Sequence, residues 1–174
     1  MMAFAQWLQA TALFTALRES WYVYPVVLSL HLVAIALFGG LIVITDLRLL
    51  GLVLADQPIA GMVKGLRGLK HMGATLLFLC GILMFGTKAE EYLTNPFFHA
   101  KMGLLMLVGV HAMAFRGSVY SKAAEFDAAG KVPGIAKVAA VISLLLWTGL
   151  LIAGRGIGYV EPDLDRIHAQ LWLR

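Results

Sequence analysis

The chain has 174 residues, 60% of them hydrophobic and only 14% charged, with a mean hydropathy of +0.83. A soluble domain of this length carries about 25% charged residues, so a soluble globular enzyme, a disordered chain and a nucleic-acid binder are excluded. The formal charge of +4 is read instead against a membrane, and the single cysteine, Cys80, excludes a disulfide framework or a multi-cysteine metal cluster.

Residues 1–20 interleave Phe4, Trp7, Leu8, Leu13, Phe14 and Leu17 with Gln6, Gln9, Arg18 and Glu19. That is the pattern of an amphipathic helix lying in the membrane interface. No basic stretch precedes the apolar residues, and Arg18 and Glu19 follow them, which is the wrong order for a cleaved signal peptide. Residues 21–45 then carry no charge at all, and a run of this length crosses a hydrocarbon core that needs about 20 residues. Three further runs follow at 71–87, 92–115 and 138–154, and only Lys101 places a charge inside any of them. The other 23 of the 24 charged residues lie outside the runs, so the predicted spans are about 22–45, 66–87, 94–115 and 136–156. The expectation is an all-α fold: one domain over residues 1–174, a polytopic membrane four-helix bundle with an N-terminal interfacial helix.

The connections set the orientation. Residues 46–70 hold Arg48, Lys64, Arg67 and Lys70, and residues 116–137 hold Arg116, Lys122, Lys131 and Lys137. Between the second and third runs there is only Lys88, beside Glu90 and Glu91. The positive-inside rule puts both long loops in the cytoplasm and both termini outside it, although Arg155, Arg166 and Arg174 also fall on the outer side. Trp7, Trp21, Tyr22, Tyr24 and Trp172 read as interfacial aromatics.

Histidines inside hydrocarbon need a reason, because ionisable groups there usually face the bundle interior and mark a functional path. With this orientation His31 and His99 fall at the outer level, and His71 and His111 at the inner one. His99 and His111 are 12 residues apart, about 18 Å along a helix and about 120° in azimuth. One helix therefore has the means to present His99 to the first span and His111 to the second. Imidazoles paired on facing helices at two depths are what two b-type haems require, and the expected cofactor is one or two haem b groups with these four histidines as iron ligands. Glycines at 39, 40, 73, 103 and 109 leave room for a flat macrocycle, and Lys101, Arg48, Lys70 and Arg155 are candidate propionate partners. The bland alternative is that the histidines make interhelical hydrogen bonds and the glycines serve close packing.

Other features read more simply. Asp46 and Arg48, at the end of the first run, form a local interfacial ion pair, and Lys101 either snorkels or pairs with a carboxylate. The glycines at 154, 156 and 158 lack the strand and spacing of a dinucleotide fingerprint. Met62, Met72, Met84, Met102, Met106 and Met113 are packing material or soft copper ligands. Cys80 is a small buried residue and His168 a solvated one.

The stretches WYVYPVVLSLHLVAIALFGGLIVITDLRLLG and CGILMFGTKAEEYLTNPFFHAKMGLL resemble a family of small bacterial four-span proteins of unknown function, itself similar to the CopD copper-resistance membrane domain. That resemblance implies an all-helical protein of the bacterial inner membrane. A more distant resemblance, carried by His31, Phe38-Gly39-Gly40-Leu41, Arg48, His99-Ala100-Lys101 and His111, is to the HemJ-type protoporphyrinogen oxidases, small four-span proteins that bind haem b. It implies that His31 and Lys101 carry roles in haem binding or activity. The functional expectation is a b-type cytochrome exchanging electrons with quinone or a redox protein, alone or as a homo-oligomer. The alternatives are a haem-dependent oxidase, a copper-handling protein and a haem-free assembly subunit.

Overall fold

The computed structural model describes residues 1–160, so the expectations for Arg166, His168, Trp172 and Arg174 fall outside the described residues. Those described are helical throughout, without strands. In chain order the helices are α1 Met2–Gln9, α2 Ala12–Glu19, α3 Val23–Leu50, α4 Ile59–Gly65, α5 Arg67–Thr87, α6 Ala89–Thr94, α7 Pro96–Arg116, α8 Ala123–Ala129 and α9 Gly134–Gly156. The segments around α3, α5, α7 and α9 are long and apolar enough to cross a bilayer, as a multi-pass membrane protein requires.

The N-terminal amphipathic segment is two short helices. Thr11 donates its hydroxyl to the Leu8 carbonyl (2.8 Å) and Thr15 to the Gln9 carbonyl (3.2 Å). These bonds satisfy the last carbonyls of α1 locally, so the chain turns before α2 begins. Ala5 and Phe14 are the buried residues of the two helices. α1 packs on α6, and α2 packs on α5 and α3. Gly86 of α5 makes the second contact possible, since a side chain there would collide with the Phe14 ring.

α3 packs along α5 on one flank and along α9 on the other, and α9 packs along α7. α5 and α7 are not among the closely packed pairs, so the lateral order is α5, α3, α9, α7. Close approach is built in at Gly73, where an added Cβ would lie 3.3 Å from the backbone of Phe38. Phe38 meets Trp147 of α9 edge-on, with ring centroids 5.4 Å apart, in mid-bundle. At the end where α1 packs on α6, Phe85, Tyr92 and Phe98 form an aromatic cluster with centroids 5.4–6.3 Å apart, bridging α5, α6 and α7.

Asn95 explains how α7 starts. Its Oδ1 accepts from the backbone N–H of Phe97 (2.9 Å), an N-cap, and Pro96 occupies the first turn, where its missing N–H costs nothing. Its Nδ2 donates to the carbonyls of Ile157 (3.2 Å) and Val160 (2.7 Å), tying α7 to the end of α9.

At the opposite end, the two long loops are not simple solvated connections. Each contains a helix, α4 or α8, and Asp127 accepts from the first N–H groups of α4, those of Ile59 and Ala60, at 2.8 Å each. Leu49, Ile59, Val119, Ala123, Phe126, Ala136, Ala139 and Ala140 form one buried cluster beneath them. This loop end is a folded cap on the bundle.

Candidate functional site

α3 runs unbroken to Leu50, five residues beyond the predicted end of its run, and Gly51 (φ +78°) stops it in the left-handed conformation. The extension corrects one expectation. Asp46 and Arg48 sit on different faces of a helix and do not pair with each other. Arg48 donates from Nε to the Gln57 carbonyl (2.8 Å) in the following loop, whereas Asp46 is buried at 1% exposure.

Two buried groups stand out by what they lack. Among the described residues, the buried side-chain atoms without a hydrogen-bond partner are Nδ1 of His31 and both carboxylate oxygens of Asp46. Burying a polar group without a partner is costly, so each such atom asks for an explanation.

His31 is 8% exposed on α3. Its ring faces α5, where Cε1 lies 3.6 Å from the position a Cβ would take on Gly81, and the backbone of Leu77 is a further polar neighbour. The ammonium of Lys101 on α7 acts on the ring electrostatically. Lys101 is half-buried, and its Nζ lies 3.9 Å from the Cβ position of Gly154 on α9. No acidic side chain pairs with Lys101 among the described residues. The imidazole thus lies against Gly81 of α5 and the ammonium against Gly154 of α9, with no acidic partner among the described residues.

The other histidines are placed differently. His111 is 9% exposed, and its Nε2 donates to the Ala139 carbonyl of α9 (2.9 Å), with the ring against Phe115 at 4.8 Å. His71 is exposed, while its neighbour Lys70 turns inward to donate to Thr45 Oγ1 (2.8 Å). His99 is exposed too, its ring edge-on to Phe98. Because Lys101 points into the bundle, a residue two positions earlier points about 160° away from it. Lys101 is therefore the cation within electrostatic reach of His31, and the structure joins neither His31 with His99 nor His71 with His111. Arg155 is exposed and donates to the Tyr159 hydroxyl (3.1 Å).

The second orphaned group belongs to a layer that sequence reasoning missed. Thr45 and Asp46 of α3, Lys70 of α5, Ser143 of α9 and Tyr120 from the turn after α7 converge at the loop end. The uncharged hydroxyls carry no sequence signal, and Asp46 and Lys70 are 24 residues apart. A hint lay in the spacing of Asp46 from the buried face of α3, since it follows Gly39 by seven residues, close to two whole turns.

A family model described as a family of unknown function (DUF6644) matches residues 5–160, and the chain belongs to that family. No curated protein and no solved structure matches it.

Proposed function

We propose that this DUF6644 member is a membrane haem b protein holding one haem in the half of the bundle nearer its termini. His31 is its iron ligand and Lys101 the partner of a propionate. The observation that supports the reading is the buried, unpartnered Nδ1 of His31, within electrostatic reach of a lysine that has no acidic partner among the described residues. A neutral imidazole nitrogen with no hydrogen bond to give up is a ready ligand for iron. A half-buried ammonium is stabilised by a carboxylate that arrives with the cofactor. The fit is to one protein ligand, because His99 faces outward, and His71 and His111 are exposed and hydrogen-bonded, respectively.

A bound haem supplies one-electron redox chemistry. In this reading His31 would hold the iron from α3 and Lys101 would neutralise a propionate from α7. Electron exchange with a quinone or a redox protein, by one copy or an oligomer in the bacterial inner membrane, is the activity this arrangement serves. A second reading, a haem-dependent oxidase of the HemJ type, is favoured by the proximity of His31 to Lys101, the two residues to which that resemblance assigns roles.

The test is the reduced-minus-oxidised visible spectrum of the purified full chain, with haem measured per chain. The reading expects one haem with the high-spin character of a single protein ligand, its loss in His31→Ala, and its weakened retention in Lys101→Met. Porphyrinogen turnover that depends on His31 selects the second reading. Absence of haem with copper retained, or haem indifferent to His31→Ala, overturns both.

A further inference from the structure

The orphaned carboxylate at the loop end is separate from the His31 region and has a chemistry of its own. Asp46 projects from α3 into a layer built by three spans and a turn. From α5 comes Lys70, whose ammonium is given to Thr45 Oγ1 at 2.8 Å, while Thr45 passes its own hydroxyl to the Leu41 carbonyl at 2.7 Å. From α9 comes Ser143, which faces the carboxylate without closing a well-formed hydrogen bond. Tyr120, half-buried, faces it from the turn between α7 and α8. On α7, His111 is spent on the Ala139 carbonyl, one turn before Ser143, and Arg48 of α3 itself is turned away to Gln57. Lys70 and Tyr120 are therefore the titratable groups that face Asp46.

An ionised carboxylate with neither a hydrogen bond nor a bonded cation is strongly disfavoured in a low-dielectric interior, and such a group takes up a proton instead. Asp46 is in that position as long as Lys70 is held by Thr45. Lys70 thus bonds Thr45 and also acts electrostatically on the next residue, Asp46, which makes it the cation available to that carboxylate. Oppositely charged groups that come into contact favour the ionised form.

We propose that Asp46 is an intramembrane proton-binding site with two states. In one, Asp46 is a neutral carboxylic acid and Lys70 is bonded to Thr45. In the other, the acid O–H bond has broken, the proton has left to water at the loop end, and the carboxylate is paired with the Lys70 ammonium. Asp127 fixes α4 to α8 over the apolar cluster that contains Leu49, three residues beyond Asp46 on α3.

Infrared difference spectroscopy of the full chain in lipid nanodiscs, titrated from acid to alkaline pH, tests the site. The expected result is a buried protonated-carboxyl band that titrates, shifts when aspartate is carboxyl-labelled, and is missing in Asp46→Asn. In Lys70→Gln the band persists and its midpoint moves up by about one pH unit or more, a tenfold or larger gain in proton affinity, because the paired state has lost its cation. The labelled wild-type titration needs no variant and stands even if Asp46→Asn fails to assemble. A labelled protein with no such band at any pH, a band surviving Asp46→Asn, or a midpoint indifferent to Lys70→Gln would overturn the proposal. A midpoint displaced by sodium at constant pH would also overturn it, making the layer a metal-cation site.

Discussion

What a buried imidazole does in a bilayer depends on what its nitrogens meet. His31 and His111 are almost equally buried, at 8% and 9% exposure, but only His111 gives Nε2 to a carbonyl, that of Ala139 on a neighbouring helix. His111 is accounted for by packing. Its replacement by alanine is expected to cost about 1 kcal/mol, the scale of an interhelical hydrogen bond in a membrane, and to leave haem content unchanged. Thermal unfolding in detergent, with haem assayed in parallel, checks both halves, and haem lost without loss of stability would make His111 a ligand after all. The sequence gives the four histidines a position along their helices but not their azimuths. Depth follows from counting residues at 1.5 Å each, whereas azimuth depends on which neighbour a face meets. Lys101 makes the difference plain: once its ammonium reaches toward Gly154 and His31, His99 is turned outward.

Elements behave in the same divided way. The four spans were legible because a run of some 20 apolar residues has no other stable home, and α5 matches its predicted span to within one residue. α4 and α8 were not legible. Each has seven residues, too few to hold a helix by propensity, and each depends on partners far away in sequence. Asp127 reaches back 68 and 67 residues to the N–H groups of Ile59 and Ala60, a link that no local pattern announces. Asp127→Ala is expected to cost about 1–3 kcal/mol, from two charge-assisted bonds. Hydrogen exchange should show faster exchange across α4 with little change in α9. Uniform loosening of all four spans would show instead that the loop-end cap and the bundle are one cooperative unit.

Across the whole molecule, the bundle is stacked in layers along the membrane normal. An aromatic cluster closes the end that carries α1 and α6, the His31 and Lys101 region follows, then Phe38 against Trp147, then the Asp46 layer, and last the apolar cap of the loop helices. The two orphaned groups thus lie on opposite sides of an aromatic mid-plane, so each takes its counter-charge from its own side. The positive-inside expectation, from four basic residues in each long loop, is that the loop end faces the cytoplasm. The one cysteine, Cys80, is buried at 4% exposure, so a cysteine introduced at Lys131 supplies the reactive thiol. A membrane-impermeant maleimide should label Lys131→Cys only in opened vesicles and Arg18→Cys in intact cells once the outer membrane is permeabilised. The reverse pattern would invert the bundle.

The proposed role of His31 as an iron ligand is tested by haem content and the reduced-minus-oxidised spectrum of wild type beside His31→Ala and His99→Ala. One b-type haem per chain is expected, lost with His31 and kept without His99. Haem that survives His31→Ala, or that disappears equally with His99, would rule that role out.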